Sequence, residues 1–240
     1  TSYLSVVSKG AAAFIFSIVL FTVFKTLVTT WQPLIYTIAV FTMTLANLFA
    51  LRQNNIKRFL AFSSIAQAGF ILLGVLNAGE LGMTSIVYFV LVYVFTNLGA
   101  FGVVSAIYDA SGVETISGYA GLYKTNPKLS LLMTLSLFSL AGIPPVAGFF
   151  GKFFLFTAAA GAGYYILVLI AVLNATISLY YYLRVVKAMF IDPNDQPIPT
   201  FRSSNAMRIA LVMCVAGVFI IGFASGIFEY IRSISQLFLN

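Results

Sequence analysis

The chain has 240 residues, of which 61% are hydrophobic and only 8% charged, with a formal net charge of +7. Soluble domains carry about 25% charged residues, so this composition describes a polytopic membrane protein. There is no histidine and one cysteine, Cys214, which excludes a disulfide framework, a Cys-based metal site and an imidazole proton shuttle.

A helix that crosses a bilayer needs about 20 apolar residues. Seven runs meet that need, at roughly 3–24, 34–51, 59–77, 83–108, 128–158, 162–189 and 206–228. No signal peptide is visible, and the opening at Thr1 reads as the middle of a longer protein. The first run carries Lys9, with Gly10 beside it to allow close approach of another helix. Pro33 and Pro127 suit first-turn positions, with Asn126 as an N-cap. Turn chemistry marks the connections at Asn77-Ala78-Gly79 and Ala160-Gly161-Ala162-Gly163, and the stretch Asp192–Asn205 is polar and holds three prolines. The fifth run is too long for a simple crossing, as expected of a helix broken near Gly142-Ile143-Pro144-Pro145.

Lys and Arg sit at the ends of apolar runs, which fits orientation in a bilayer and not a nucleic-acid face. Counted over alternate loops, one side holds Arg52, Lys57, Arg58, Lys124, Lys128, Arg184, Lys187, Arg202 and Arg208. The other holds Lys25 and Arg232 beside Glu80 and Glu229. The positive-inside rule puts the first set in the cytoplasm or its equivalent and the C-terminus outside.

Lys152 stands out. It lies in an apolar run, seven residues after the proline pair, with Phe149, Phe150, Phe153, Phe154 and Phe156 around it in sequence. A charge in hydrocarbon is costly and marks a functional candidate. Burial favours the neutral form of an amine, so a lysine can load and release a proton where an arginine cannot. The competing reading is a lysine that snorkels to the membrane edge. Lys9 carries the same pair of readings. In the third run Ser63 and Gln67 share a helix face, as do Ser64 and Gln67, which suits either a water wire or helix–helix hydrogen bonds. Lys57 and Arg58 read as topology anchors. The fourth run offers Tyr93, Thr96 and Asn97, and the sixth offers Asn174, Thr176 and Ser178. Tyr180-Tyr181-Tyr182 fit an interfacial aromatic belt. Glycines 69, 74, 99, 102, 148 and 151 are expected to be packing sites. No phosphate loop, dinucleotide fingerprint, zinc spacing or nucleophile elbow is present.

Two stretches, Asn55–Gly69 and Phe138–Phe156, resemble the antiporter-like subunits of respiratory complex I. The branch is the one called subunit N in bacteria, and it has mitochondrial and chloroplast counterparts. Tyr180–Val185 and Thr96–Ala100 are similar to it as well. The Pro-Pro pair followed by Gly-Lys favours this branch over its paralogues and over sodium/proton antiporter subunits. The resemblance implies an all-α integral membrane protein with fourteen helices and two inverted five-helix repeats. This chain would be its C-terminal half, with about seven transmembrane helices: residues 1–25 the last helix of the first repeat, 34–190 the second repeat with its broken helix at 128–158, and 191–240 a loop and closing helix.

The resemblance also implies roles. Lys152 would serve the exit half of a proton path, and Lys9 would be the central lysine. From the residues themselves, Ser63, Ser64, Gln67, Asn97, Asn174 and Ser178 are the candidates to line water; relatives often have histidine where Gln67 stands. A partner glutamate and another broken-helix lysine belong upstream. The expected function is proton translocation within NADH–quinone oxidoreductase, by a non-redox subunit with no cofactor or metal of its own. NADH, FMN, Fe–S clusters and quinone are expected in partner subunits. The expected partners are neighbouring antiporter-like and other membrane subunits and lipid, with no nucleic acid. The expected location is the bacterial inner (plasma) membrane, or an organellar inner membrane. The alternatives are a cation/proton antiporter or membrane-bound hydrogenase module, and a scaffold that conducts nothing.

Overall fold

The computed structural model describes residues 4–224 and 226–239. The start of the first expected run, Thr1 to Tyr3, lies outside them. Among the described residues helices are the regular elements, with one isolated bridge, Asn55↔Thr115, in place of any sheet.

A π-helical turn, Leu4–Ser8, leads into α1 (Lys9–Thr22). Helix α2 (Val28–Leu51) starts six residues before the expected run, so Pro33 lies inside it and not in its first turn. Side chains support the added turn: Trp31 Nε1 donates to Phe24 O (3.1 Å) and Gln32 Nε2 to Leu76 O (2.9 Å). They offset the backbone hydrogen bond that a proline forgoes. Helix α3 (Ile56–Leu76) is capped by Asn55, whose side-chain oxygen accepts from the N–H groups of Lys57 (3.0 Å) and Arg58 (3.1 Å). The 32-residue α4 (Glu80–Ser111) stops at Gly112, which takes φ +70°.

After the short α5 (Leu122–Thr125), α6 (Pro127–Ala141) begins with Pro127 in its first turn, as expected. Asn126 stands at the N-cap, but its side chain makes no capping bond. It donates instead to Pro199 O (3.2 Å) and accepts from Phe201 N–H (3.3 Å), pinning the long loop. The break separates α6 from α7 (Ala147–Gly161); α8 (Tyr165–Phe190) and α9 (Asn205–Phe223) follow. With α6 and α7 taken together, the described helices make seven apolar crossings, and five helices are each long enough alone. The last expected run ends early, at Phe223. A further amphipathic helix, α10 (Gly226–Leu239), packs on α4 and ties Arg232 Nε to Glu80 Oε1 at 2.6 Å.

The loops group at two ends as the charge count expects. At the basic end, Lys57 pairs with Glu114 (2.8 Å) and Arg184 Nη1 donates to Leu51 O (2.5 Å). At the other end lies the Arg232–Glu80 pair. Helices α3 and α4 form the interior, while α2, α8 and α9 expose apolar residues such as Phe41, Leu173 and Val212 outward. At all six glycines expected to be packing sites, an added Cβ would come within 3.1 Å of a neighbouring helix.

Candidate functional site

The break is built from its own sequence. Gly142 takes φ +85°, and its N–H closes α6 on Phe138 O (3.0 Å) and Ser139 O (3.1 Å). In an unbroken helix the carbonyls of Leu140 and Ala141 would accept from residues 144 and 145. Those residues are prolines, which have no N–H. Lys152, projecting from α7, takes their place: its Nζ donates to Leu140 O (2.8 Å) and Ala141 O (2.9 Å). A single lysine nitrogen thus fills the two acceptors that the prolines leave open.

Lys152 is 4% exposed, so the reading in which it snorkels to the edge does not describe it. Among the described residues the ion pairs lie elsewhere, and no carboxylate faces it. Its Nζ lies 4.8 Å from the centre of the Phe70 ring, which belongs to α3. The expected shell of α7 phenylalanines does not form. Phe149, Phe150, Phe153 and Phe154 stack among themselves, with Phe154 meeting Tyr88 and Phe228, and Phe153 is 48% exposed. Phe150, Phe153 and Phe154 lie one or two residues from Lys152 and so point to other faces, and Phe149, three residues before it, packs on Phe150 and Phe153. Phe156 alone of the five reaches the site, through Phe70.

Two glycines make room. A Cβ on Gly142 would lie 3.0 Å from Lys152 Cδ, and one on Gly148 would lie 1.7 Å from Ser139 O. Close approach of α7 to α6 therefore requires glycine at 148. There the Gly148 N–H donates to Ser139 Oγ (3.2 Å), and Ser139 Oγ pairs with Thr96 Oγ1 of α4 (2.9 Å).

Lys9 is half-buried and points inward. Its Nζ donates to Ser64 O (2.6 Å) and Ser64 Oγ (2.5 Å). Tyr93 OH donates to the same Ser64 hydroxyl (2.7 Å) and also bonds Asn97. Gln67 Nε2 donates to Leu140 O (3.0 Å), the carbonyl that Lys152 uses, and to Tyr182 OH (3.3 Å). Tyr182 OH also pairs with Ser63 Oγ. A cavity of about 10 Å³ lies between these groups, lined by Gln67, Tyr93, Thr96, Ser139, Leu140 and Lys152 among others. It matches the lower bound for one water, about 10–15 Å³.

The structure therefore gathers Lys152, Gly142, Gln67, Ser63, Ser64, Asn97 and Lys9 around one interior, while Pro144 and Pro145 stay on the exposed side of the break and act only through the N–H groups they lack. Asn174 and Ser178 lie on a side branch. Asn47 Nδ2 donates to Asn174 Oδ1 (2.9 Å), Tyr181 OH donates to Asn47 Oδ1 (2.8 Å), and Ser178 Oγ turns back to Ala175 O (2.6 Å). The aromatic belt needs correction: Tyr180 is 63% exposed, but Tyr181 and Tyr182 are fully buried and belong to the polar network. Tyr182 falls four residues after Ser178, so the face that joins Asn174 and Ser178 already pointed to it. Ser139 and Asn47 were missed, although each has a polar residue three before it, Ser136 and Thr44, and that spacing could have found them. Lys57 pairs with Glu114 and lies over the Tyr108 ring at 3.4 Å, apart from this interior. Among the described residues no cluster of metal-ligating side chains occurs.

Residues 2–178 match the family model described as NADH:quinone oxidoreductase/Mrp antiporter, transmembrane. The chain is 55% identical to NADH-quinone oxidoreductase subunit N of Phocaeicola vulgatus, over 99% of this chain and 50% of that one. Among solved structures it resembles a chain of respiratory complex I from Thermus thermophilus, at 30% identity and TM-score 0.70, covering 81% of this chain and 44% of that one. It shares its fold with a chain of the Mrp complex from a Dietzia species, at 22% identity and TM-score 0.83, covering 96% and 51%. The chain spans about half the length of the curated relatives it matches.

Proposed function

This chain belongs to the NADH:quinone oxidoreductase/Mrp antiporter family of transmembrane proteins, and on that premise we propose that it is the C-terminal half of a proton-translocating, non-redox subunit of NADH–quinone oxidoreductase. In this reading residues 34–190 are the second inverted repeat, flanked by the last helix of the first repeat and a closing segment. The protein works in a bacterial inner membrane beside other antiporter-like subunits. NADH, FMN, Fe–S clusters and quinone belong to its partners.

The observation that carries the reading is the Lys152 cradle. Two backbone carbonyls and an aromatic face favour the ammonium, and burial without a carboxylate favours the amine. The two effects oppose each other at one nitrogen, so a change in a neighbouring charge or in hydration can tip it. Lys9 holds the other end of the path. From Lys9 the proton reaches the Ser64 hydroxyl, which Tyr93 also bonds. From there a water in the small cavity leads to Lys152, past Gln67 and Thr96. Gln67 has no proton to exchange in the working range, so it orients that water and does not carry the charge.

The test uses the whole complex in proteoliposomes, with NADH oxidation driving proton uptake. Lys152→Ala is expected to assemble and to lower the number of protons moved per NADH. Wild-type stoichiometry in that variant overturns the assignment. Lys152→Arg is expected to fail in the same way, because its charge is permanent.

A further inference from the structure

Gln67 and Lys152 donate to one oxygen. Lys152 Nζ reaches Leu140 O at 2.8 Å, and Gln67 Nε2 reaches it at 3.0 Å. A carbonyl oxygen has two lone pairs, so both bonds form together. They are not independent. Each donor draws on the same oxygen and brings the positive end of its N–H towards the other, so the amide weakens the hold on the ammonium form of the lysine.

A residue from another helix holds the amide there. Gln67 Nε2 also donates to Tyr182 OH of α8 (3.3 Å). That hydroxyl pairs with Ser63 Oγ, one turn before Gln67 on α3. The Tyr182 ring is fully buried and wedged edge-on against Phe59 (centroids 5.9 Å) and Tyr181 (4.7 Å). Packing thus fixes the hydroxyl oxygen, and the oxygen fixes the N–H end of Gln67 beside Leu140 O. Without that oxygen a buried amide N–H loses its acceptor, and the amide turns towards the cavity that it lines. Helices α3, α4, α6, α8 and α9 pack on α7. Among the described residues, Tyr93 is the one ionisable group of these five helices that lines the cavity beside Lys152. Tyr182 acts on the lysine through Gln67, and Lys9 of α1 reaches it through Ser64 and Tyr93.

We propose that Tyr182 is a positioning residue for the Lys152 cradle. By fixing Gln67 on Leu140 O it keeps the lysine's acceptor shared, so the proton on Lys152 is released more readily than from the two carbonyls alone. Tyr182 passes no proton to the lysine, because the Gln67 amide stands between them. The inference rests on the reading of Lys152 as the group that exchanges the proton.

The test uses the intact complex in proteoliposomes and reads protons moved per NADH across the pH range in which the complex turns over. Tyr182→Phe keeps the ring and removes the hydroxyl. With Leu140 O left to the lysine, the proton is held more tightly. The ratio is therefore expected to fall at neutral pH and to recover as pH rises, a profile displaced upward by up to about one pH unit, the size of one hydrogen bond. A merely structural role lowers the ratio by one factor at every pH. That outcome overturns the proposal, as does an undisplaced profile. Gln67→Leu is expected to displace the profile in the same direction, and Tyr182→Phe added to it to displace it no further, since the two act through one oxygen. Additive displacements overturn the proposal. If Tyr182→Phe does not assemble, Ser63→Ala loosens the hydroxyl and leaves the ring in place. It is expected to give a smaller displacement of the same sign, and an undisplaced profile there overturns the proposal too. Wild-type stoichiometry in Lys152→Ala removes the underlying reading, whereas lost pumping in Lys152→Ala with an undisplaced profile in Tyr182→Phe removes this inference alone.

Discussion

The two inward-pointing lysines, Lys152 buried and Lys9 half-buried, are held in different ways. Lys152 sits on carbonyls that no backbone N–H of their own helix reaches, because the residues four ahead of them are Pro144 and Pro145; one of the two, Leu140 O, also accepts from Gln67 Nε2. Lys9 sits on the carbonyl and hydroxyl of Ser64, inside the continuous helix α3, where the carbonyl also serves the helix. The broken helix thus offers its lysine two carbonyls that lie outside the helix ladder, whereas the unbroken one offers a carbonyl already in the ladder and a hydroxyl. The first arrangement is rigid and depends on tight backbone approach. The second tolerates small shifts.

The change expected to do most damage attacks that backbone approach. In Gly148→Ala the new Cβ would fall 1.7 Å from Ser139 O, a backbone atom that cannot rotate away. Helix α7 must move off α6, and the cradle opens. The cost is expected at the upper end of over-packing, about 3 kcal/mol or more. Thermal unfolding in detergent and assembly of the complex are the measurements. A variant that assembles and unfolds like wild type would show that the close approach is not needed.

Gly142→Ala and Gly10→Ala sharpen the contrast between the two lysines. At Gly142 alanine meets a left-handed backbone, φ +85°, and also presses on Lys152 Cδ at 3.0 Å. The backbone alone costs about 1–3 kcal/mol. The displaced lysine is expected to lower proton translocation further. Beside Lys9, a Cβ on Gly10 meets only the side-chain tip Val90 Cγ1 at 2.9 Å, which can shift, so the effect there is expected to be under about 1 kcal/mol. Equal effects on pumping from the two alanines would erase the distinction between carbonyls outside and inside a helix ladder.

A smaller loss is expected from Gln67→Leu. The variant removes the donor to Leu140 O and Tyr182 OH, but Leu140 O keeps Lys152 and Tyr182 keeps Ser63. With no group left wholly unpaired, the expected cost is about 1 kcal/mol. Proton translocation is expected to fall more than stability does, because the amide also lines the cavity. Equal stability and full pumping would remove Gln67 from the path.

The sequence made the cradle legible in part. A lysine in hydrocarbon and a proline pair seven residues earlier can both be read directly, and i→i+4 counting names the two carbonyls left open. The ring under the lysine could not be read, since Phe70 comes from another helix while the adjacent phenylalanines point elsewhere. Tyr181 and Tyr182 were hidden for a different reason. A tyrosine near an arginine at a helix end gives the same signal whether it faces the interface or the interior, and packing against Phe59 settles it. Helix α10 was hidden because it begins only a few residues after α9 within one apolar stretch, and its amphipathic face becomes meaningful only against α4.

The mildest prediction concerns the basic end, where solvent replaces hydrocarbon. Lys57, and after it Asn55, bond the Glu114 carboxyl and hold it below the usual carboxylate range. Ile56 N–H donates to Glu114 O (2.8 Å) and Ile116 N–H to Asn54 O (2.8 Å), so the same contact clasps the start of α3 to the loop after α4. A carboxyl that is more acidic when folded than when unfolded contributes stability above its unfolded value. That contribution is lost as pH falls through its folded value. The clasp is therefore expected to be intact at neutral pH and to loosen only under acid. Hydrogen exchange at Ile56 and Ile116 is expected to speed up there, while amides beside the Lys152 cradle, which faces no carboxylate, stay protected. Glu114→Gln is expected to flatten the response at Ile56 and Ile116 without altering proton translocation. If exchange at the cradle rose in step with exchange at the clasp, the two ends of the molecule would be coupled and the interior site would depend on its surface ion pair after all.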